Sequence, residues 1–105
     1  MTHKEVIAMV GEMDIPFAYH HFAEGESPDP PFICFLYPNA VQFGADNIVY
    51  HSDKALDIEL YTDEKNPDLE KAVEAVLTEH GLYFEKSEVW IDEEKLYEVL
   101  YSLVV

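Results

Sequence analysis

The clearest alternation of apolar and polar positions lies in residues 55–81. Leu56, Ile58 and Leu60 alternate with Asp57, Glu59 and Tyr61, a period of two that puts the aliphatics on one face of a half-buried strand. Asn66 then offers a side-chain oxygen to the first N–H groups of a helix, and Pro67 suits the first helical position, where its missing N–H costs nothing. Asp68 and Glu70 set negative charge at the positive end of the helix dipole. Leu69, Ala72, Val73, Val76, Leu77 and His80 keep helical spacing along one stripe, and Gly81 suits the left-handed conformation that closes a helix.

The same reading extends along the chain. Thr2 and Glu5 have the spacing of a capping box. Val6, Met9, Val10 and Met13 form an apolar stripe with Ile7 beside it, predicting a short first helix that ends near Asp14. Gly11 within it costs about 1 kcal/mol relative to alanine, so this helix needs tertiary support. Residues 17–22 read as a strand, with His20 and His21 on opposite faces. Residues 23–31, with three prolines and a glycine, read as a loop. Residues 32–37 are apolar on both faces, as in an interior strand. Residues 38–47 read as irregular and 48–51 as a short strand. Residues 52–54 either turn that strand into the next one or let the two run on as one.

After Gly81 come two more strand patterns, residues 83–91 and 96–105, joined by a turn at 92–95. The last segment also fits a helix, because Leu96, Val99, Leu100 and Leu103 match 3.6 spacing. Strand is preferred for its Tyr97, Val99, Tyr101, Val104 and Val105. The expected fold is an α+β single domain over residues 1–105, ordered α-β-β-β-α-β-β. Its antiparallel or mixed sheet has both helices packed on one face.

Composition narrows the partners. The chain has 105 residues, 49% of them hydrophobic, which a disordered chain would lack. No run approaches the roughly 20 apolar residues of a membrane span, and the start has no signal-peptide pattern, so a cytoplasmic location is expected. The single cysteine, Cys34, fits a reducing compartment. Twenty-two acidic residues stand against six lysines and no arginine, giving a net charge of −16. That balance argues against direct nucleic-acid or anionic-membrane binding. It is compatible with a surface charged for solubility, with one that sits near DNA without adhering, or with carboxylates that imitate phosphates.

No catalytic constellation emerges. Five histidines do not converge: His20 and His21 diverge, His51 with Asp53 is too few ligands for zinc, and His80 ends a helix. Asp29, Asp46, Asp53, Asp57 and Asp63 lack calcium-loop spacing. Glu85, Glu88, Glu93 and Glu94 read as solvated faces, and Cys34 as packing within Ile33-Cys34-Phe35. There is no glycine-rich phosphate loop or nucleophile elbow. No cofactor, metal or enzymatic role is expected. Among seven tyrosines, six phenylalanines and one tryptophan, Tyr19, Tyr37, Phe43, Tyr50 and Tyr61 lie in or beside loops or on outward faces. They are the candidate protein–protein interface residues.

A resemblance adds to this. Ile15-Pro16-Phe17-Ala18-Tyr19-His20-His21-Phe22, the prolines before Phe32 and the strand ending Leu36-Tyr37-Pro38 occur together. Ile58-Glu59-Leu60-Tyr61-Thr62-Asp63, Leu69-Glu70 with Val73-Glu74, and a closing tyrosine-rich hairpin follow. The combination resembles the small tail-completion proteins of long-tailed phages and prophages of Gram-positive bacteria, which are similar in fold to tail terminators and tail-to-head joining proteins. The resemblance implies a virion structural protein that forms a homo-oligomeric ring, expected as a hexamer, on the tail tube. Its partners would be the tail tube protein and a head-completion or connector protein. Assembly would take place in the host cytoplasm, and genome DNA would pass through the ring unbound. No catalytic or cofactor residues carry over. The absence of arginine departs from the inter-subunit ion pairs common in such assemblies. The competing reading is an acidic DNA mimic that inhibits a basic nucleic-acid enzyme, and a small enzyme stands third.

Overall fold

The Thr2 hydroxyl accepts the Glu5 N–H at 3.1 Å while the Glu5 carboxylate accepts the Thr2 N–H at 2.7 Å. This reciprocal cap opens α1 (His3–Gly11), which buries Val6, Met9 and Val10. The computed structural model describes residues 1–38 and 54–105. The strand expected at 48–51, and the residues Phe43 and Tyr50, lie outside the described residues. Met13 and Ile15 continue the core beyond α1, around a left-handed Asp14.

The elements that follow are β1 (Phe17–Tyr19), β2 (Phe32–Leu36), β3 (Ala55–Thr62), α2 (Pro67–Glu79), β4 (Phe84–Ile91) and β5 (Leu96–Val104). The class is α+β, as the pattern predicts, and the sheet is mixed. Among the described residues its five strands run β1-β2-β3-β5-β4. β1 lies parallel to β2 and every other pairing is antiparallel. A parallel pair needs a crossover of about a dozen residues, and residues 20–31 provide it. The strand expected over 17–22 therefore stops at Tyr19. His20 turns to a φ of 72° and sends its N–H to the Phe35 carbonyl at 2.7 Å, so His20, His21 and Phe22 belong to the crossover. Two other boundaries move inward: Tyr37 falls just past β2, and Tyr83 precedes β4 with 95% of its surface exposed.

α2 is framed by its own end chemistry. Asn66 accepts the Leu69 N–H at 3.2 Å. At the other end the Gly81 N–H reaches the Thr78 carbonyl at 2.9 Å and the Leu82 N–H reaches Leu77 at 3.0 Å. That pair of bonds is a Schellman closure, and it holds Gly81 at a φ of 72°. The helix carries the chain from β3 to β4, and β5 then returns antiparallel between them, a split β-α-β arrangement.

Residues 96–104 form a strand and not the helix they could also have made, because β5 pairs without interruption on both sides. Strand alternation sends Ile33, Phe35, Leu56, Ile58, Leu60, Val99, Tyr101 and Leu103 to one face. There they meet Val6, Met9 and Val10 of α1 and Val73 and Leu77 of α2 in one core. Both helices thus cover the same side of the sheet.

The two helix-ending glycines should respond oppositely to alanine. A Cβ on Gly81 meets open space, but its left-handed backbone disfavours any side chain, so Gly81→Ala should lose about 1 kcal/mol in denaturant unfolding. Gly11 would meet only the Phe17 ring at 3.9 Å, so Gly11→Ala should gain about 0.5 kcal/mol.

Candidate interaction surface

The two faces of the sheet treat carboxylates in opposite ways. On the helix side Glu70 is 3% exposed. Lys65 and Lys86 each approach it at 2.8 Å; Lys65 also holds Glu88 at 2.7 Å and Lys86 holds Glu74 at 2.7 Å. The Tyr101 hydroxyl donates to Glu74 at 2.9 Å. Burial alone would raise the Glu70 pKa, but the two lysine bonds outweigh it and hold the carboxyl below its ordinary range. The cluster seals α2 onto β4 and β5 where apolar side chains give out.

Among the described residues, no helix covers the other face. Register places three cross-strand rows there: Phe32, Tyr61, Glu98 and Val89; Cys34, Glu59, Leu100 and Ser87; Leu36, Asp57, Ser102 and Glu85. Glu59 and Glu98 sit diagonally across β3 and β5, and both are half-buried. Burial pushes both carboxyls up, and the negative neighbours add to it, Asp57 for Glu59 and Glu59 with Asp57 for Glu98. The Tyr61 hydroxyl donates to Glu59 at 3.0 Å, and Ser102 donates to Asp57 at 3.0 Å. Tyr61 stacks on Phe32 at 5.1 Å, and Phe22 meets Phe32 edge-on at 5.6 Å. The crossover residues His20, His21 and Phe22 join Phe32, Cys34, Glu59 and Tyr61 around a shallow groove of about 260 Å³. Cys34 is buried beneath it, and burial followed by the Glu59 charge pushes its thiol pKa up, which suits packing and not nucleophilic chemistry.

The sequence-derived interface residues divide between the two sides. Tyr19 and Tyr37 come together at the helix-side end of β1, 5.8 Å apart and close to Phe35. The Tyr37 hydroxyl lies 2.7 Å from His3 Nδ1, and Lys54 sits 4.7 Å over its ring. Burial pushes the Tyr37 pKa up to about 12. Tyr61 lies across the sheet on the open face. Phe43 and Tyr50 are outside the described residues.

Sequence reasoning did not single out the exposed apolar residues of the β4 edge. Val89 is 52% and Trp90 41% exposed. Uninterrupted 84–91 pairing with β5, without proline or bulge, leaves the outer side of β4 unpaired among the described residues. The signal was there in Val89-Trp90-Ile91 next to a charged run, but edge position depends on strand order, which one strand's pattern does not encode. Among the described residues, no group of three or more His, Cys, Asp or Glu is placed to hold a metal ion. His80 instead pairs with Glu12 at 3.2 Å, tying the two helix ends together.

Compared with known proteins, the chain matches no family model, no curated protein and no solved structure.

The contrast between the faces is measurable. A carboxyl with a raised folded pKa destabilises the fold once ionised, so stability falls as pH rises through that pKa. Wild type should gain stability from neutrality down to pH 4.5, the ordinary Glu value. The E59Q/E98Q double variant should lose that gain and be about 0.5–1 kcal/mol more stable at neutrality, read by thermal unfolding across pH. Glu70→Gln should do the reverse. Its stabilisation is present above pH 4.5 and lost as pH falls through its lowered pKa, and its removal should cost about 1–3 kcal/mol at neutrality, less than for a dry ion pair because both lysines stay partly wet.

Proposed function

We propose that this protein is a structural subunit of a long-tailed phage or prophage virion, one of a ring at the end of the tail tube. The ring ends tube growth, joins tail to head, or does both. The observation that supports it most is the pair of unlike sheet edges. At one end is the three-residue β1 with the Tyr19 and Tyr37 rings beside it; at the other is the eight-residue β4 with Val89 and Trp90 exposed. Edge strands are templates for pairing with another chain. Two different edges on one subunit suit a head-to-tail contact, which makes a ring when the rotation between subunits closes and a filament when it does not. A hexamer is the expected closure, with the tail tube protein and a head-completion protein above and below.

The charge is consistent with this role. Lys65 and Lys86 are drawn into the Glu70 cluster and Lys95 pairs with Asp92 at 2.9 Å, so the negative charge of the chain is little relieved at its surface. A ring of such subunits lets DNA pass without holding it. The DNA-mimic reading is weaker, because the ordered carboxylates of the open face are half-buried and pushed toward their neutral form, unlike phosphates.

Deleting the gene from the replicon that encodes it should give overlong, headless tails by electron microscopy. Normal tails joined to heads would sink the reading. Complementation with Trp90→Ser, checked for an unchanged melting curve, should restore normal particles at least about tenfold less often than wild type, whereas Lys71→Gln should complement fully.

A further inference from the structure

We propose that the open face of the sheet is the docking surface for a basic, partly apolar segment of a partner protein. The inference goes beyond the ring reading and does not depend on it. Strand alternation gives this face Asp57, Glu59, Glu85 and Glu98 and not one lysine or arginine. The protein does supply cations where it buries a carboxylate for its own stability, since Glu70 receives two. Glu98 receives none: among the described residues its carboxylate has no hydrogen bond or ion pair, although it is half-buried between Tyr61 and Val89. A cation from elsewhere would complete it.

The surroundings fit the rest of a basic side chain. The rings of Phe32 and Tyr61, stacked, and of Phe22, edge-on to Phe32, wall the groove. An aliphatic stem lies well against such rings while its charged head reaches the carboxylates beyond, here Glu59 and Glu98. Leu100 and exposed Val89 continue the apolar path along β5 and β4. Alternating basic and apolar residues on the partner would match this alternation of carboxylates and hydrophobes.

Charge also disposes of the other occupants. A second copy would set carboxylate rows against each other. Residues 39–53 contain neither lysine nor arginine. A nucleic acid is repelled by the same row.

The test is an NMR titration of the isotope-labelled full chain with an acetylated octapeptide of alternating lysine and valine. Peptides alternating lysine with glycine, and glutamate with valine, serve as controls. The lysine–valine peptide should bind roughly tenfold tighter than the lysine–glycine one, with shifts concentrated at Cys34, Tyr61, Glu98 and Leu100, and the glutamate–valine peptide should not bind. E59Q/E98Q should weaken binding roughly fivefold, whereas E64Q/E79Q, which removes the same charge from exposed sites, should weaken it less than about twofold. Equal effects of the two double variants, equal affinity for the two lysine peptides, shifts spread over the whole acidic surface, or no binding would each overturn the proposal. Concentration-dependent shifts at the same residues without peptide would overturn it too, and would assign the face to a second copy. None of these outcomes bears on tail morphology, so the docking face and the ring stand or fall separately.

Discussion

The insertion of β5 between β3 and β4 is the constraint on which the rest of the fold depends. It gives β5 partners on both sides and buries Val99, Tyr101 and Leu103 at the centre of the molecule. It also pushes β4, earlier in the chain, out to the edge. The sheet is unfinished until residues 96–104 are present, so the pairing of β3 with β5 is a long-range one of the kind that slows folding. The bonds between Lys54 and Val105, at 2.9 and 3.1 Å, pin Val105 beside the start of β3.

That placement sets what each face can do. With β4 at the edge, Lys86 lies under α2, where Glu70 and Glu74 answer it, and Glu88 is held by Lys65 from the turn before the helix. Tyr101 bridges the two worlds: its ring is in the core and its hydroxyl is on Glu74. The opposite face has the same strands but, among the described residues, no helix above it, and Glu59 and Glu98 remain without lysines. One side chain type therefore acts as glue on one surface and as strain on the other. The difference is the presence of a cation within hydrogen-bond reach.

Local chemistry was legible in the sequence wherever the partners are near in the chain. Thr2 with Glu5, Asn66 with Pro67, and Gly81 all act as their types dictate. The alternation of β3 reads directly as its burial pattern. What was not legible depends on distant pairing. Residues 20–22 look like strand, yet His20 must turn away because β2 arrives parallel to β1 and needs a long crossover. Tyr83 looks like part of a strand, yet β5 ends its pairing opposite Phe84. Tyr61 and Tyr19 look equivalent as outward aromatics, yet register sets them on opposite sides of the sheet. Glu70 reads as a helix-dipole residue; Lys65 stands five residues before it, but only the strand order brings Lys86 to it as well.

The uneven confinement of lysine has a consequence for how the molecule meets others. A net charge of −16 on a body with a 14.0 Å radius of gyration makes two identical copies repel once their surfaces come within about 8 Å, the screening length at physiological ionic strength. Added salt therefore favours contacts between copies of this chain, and it weakens contacts with any cationic surface. Ionic strength acts with opposite sign on the two kinds of association, and the balance between them shifts with the medium while the fold stays the same.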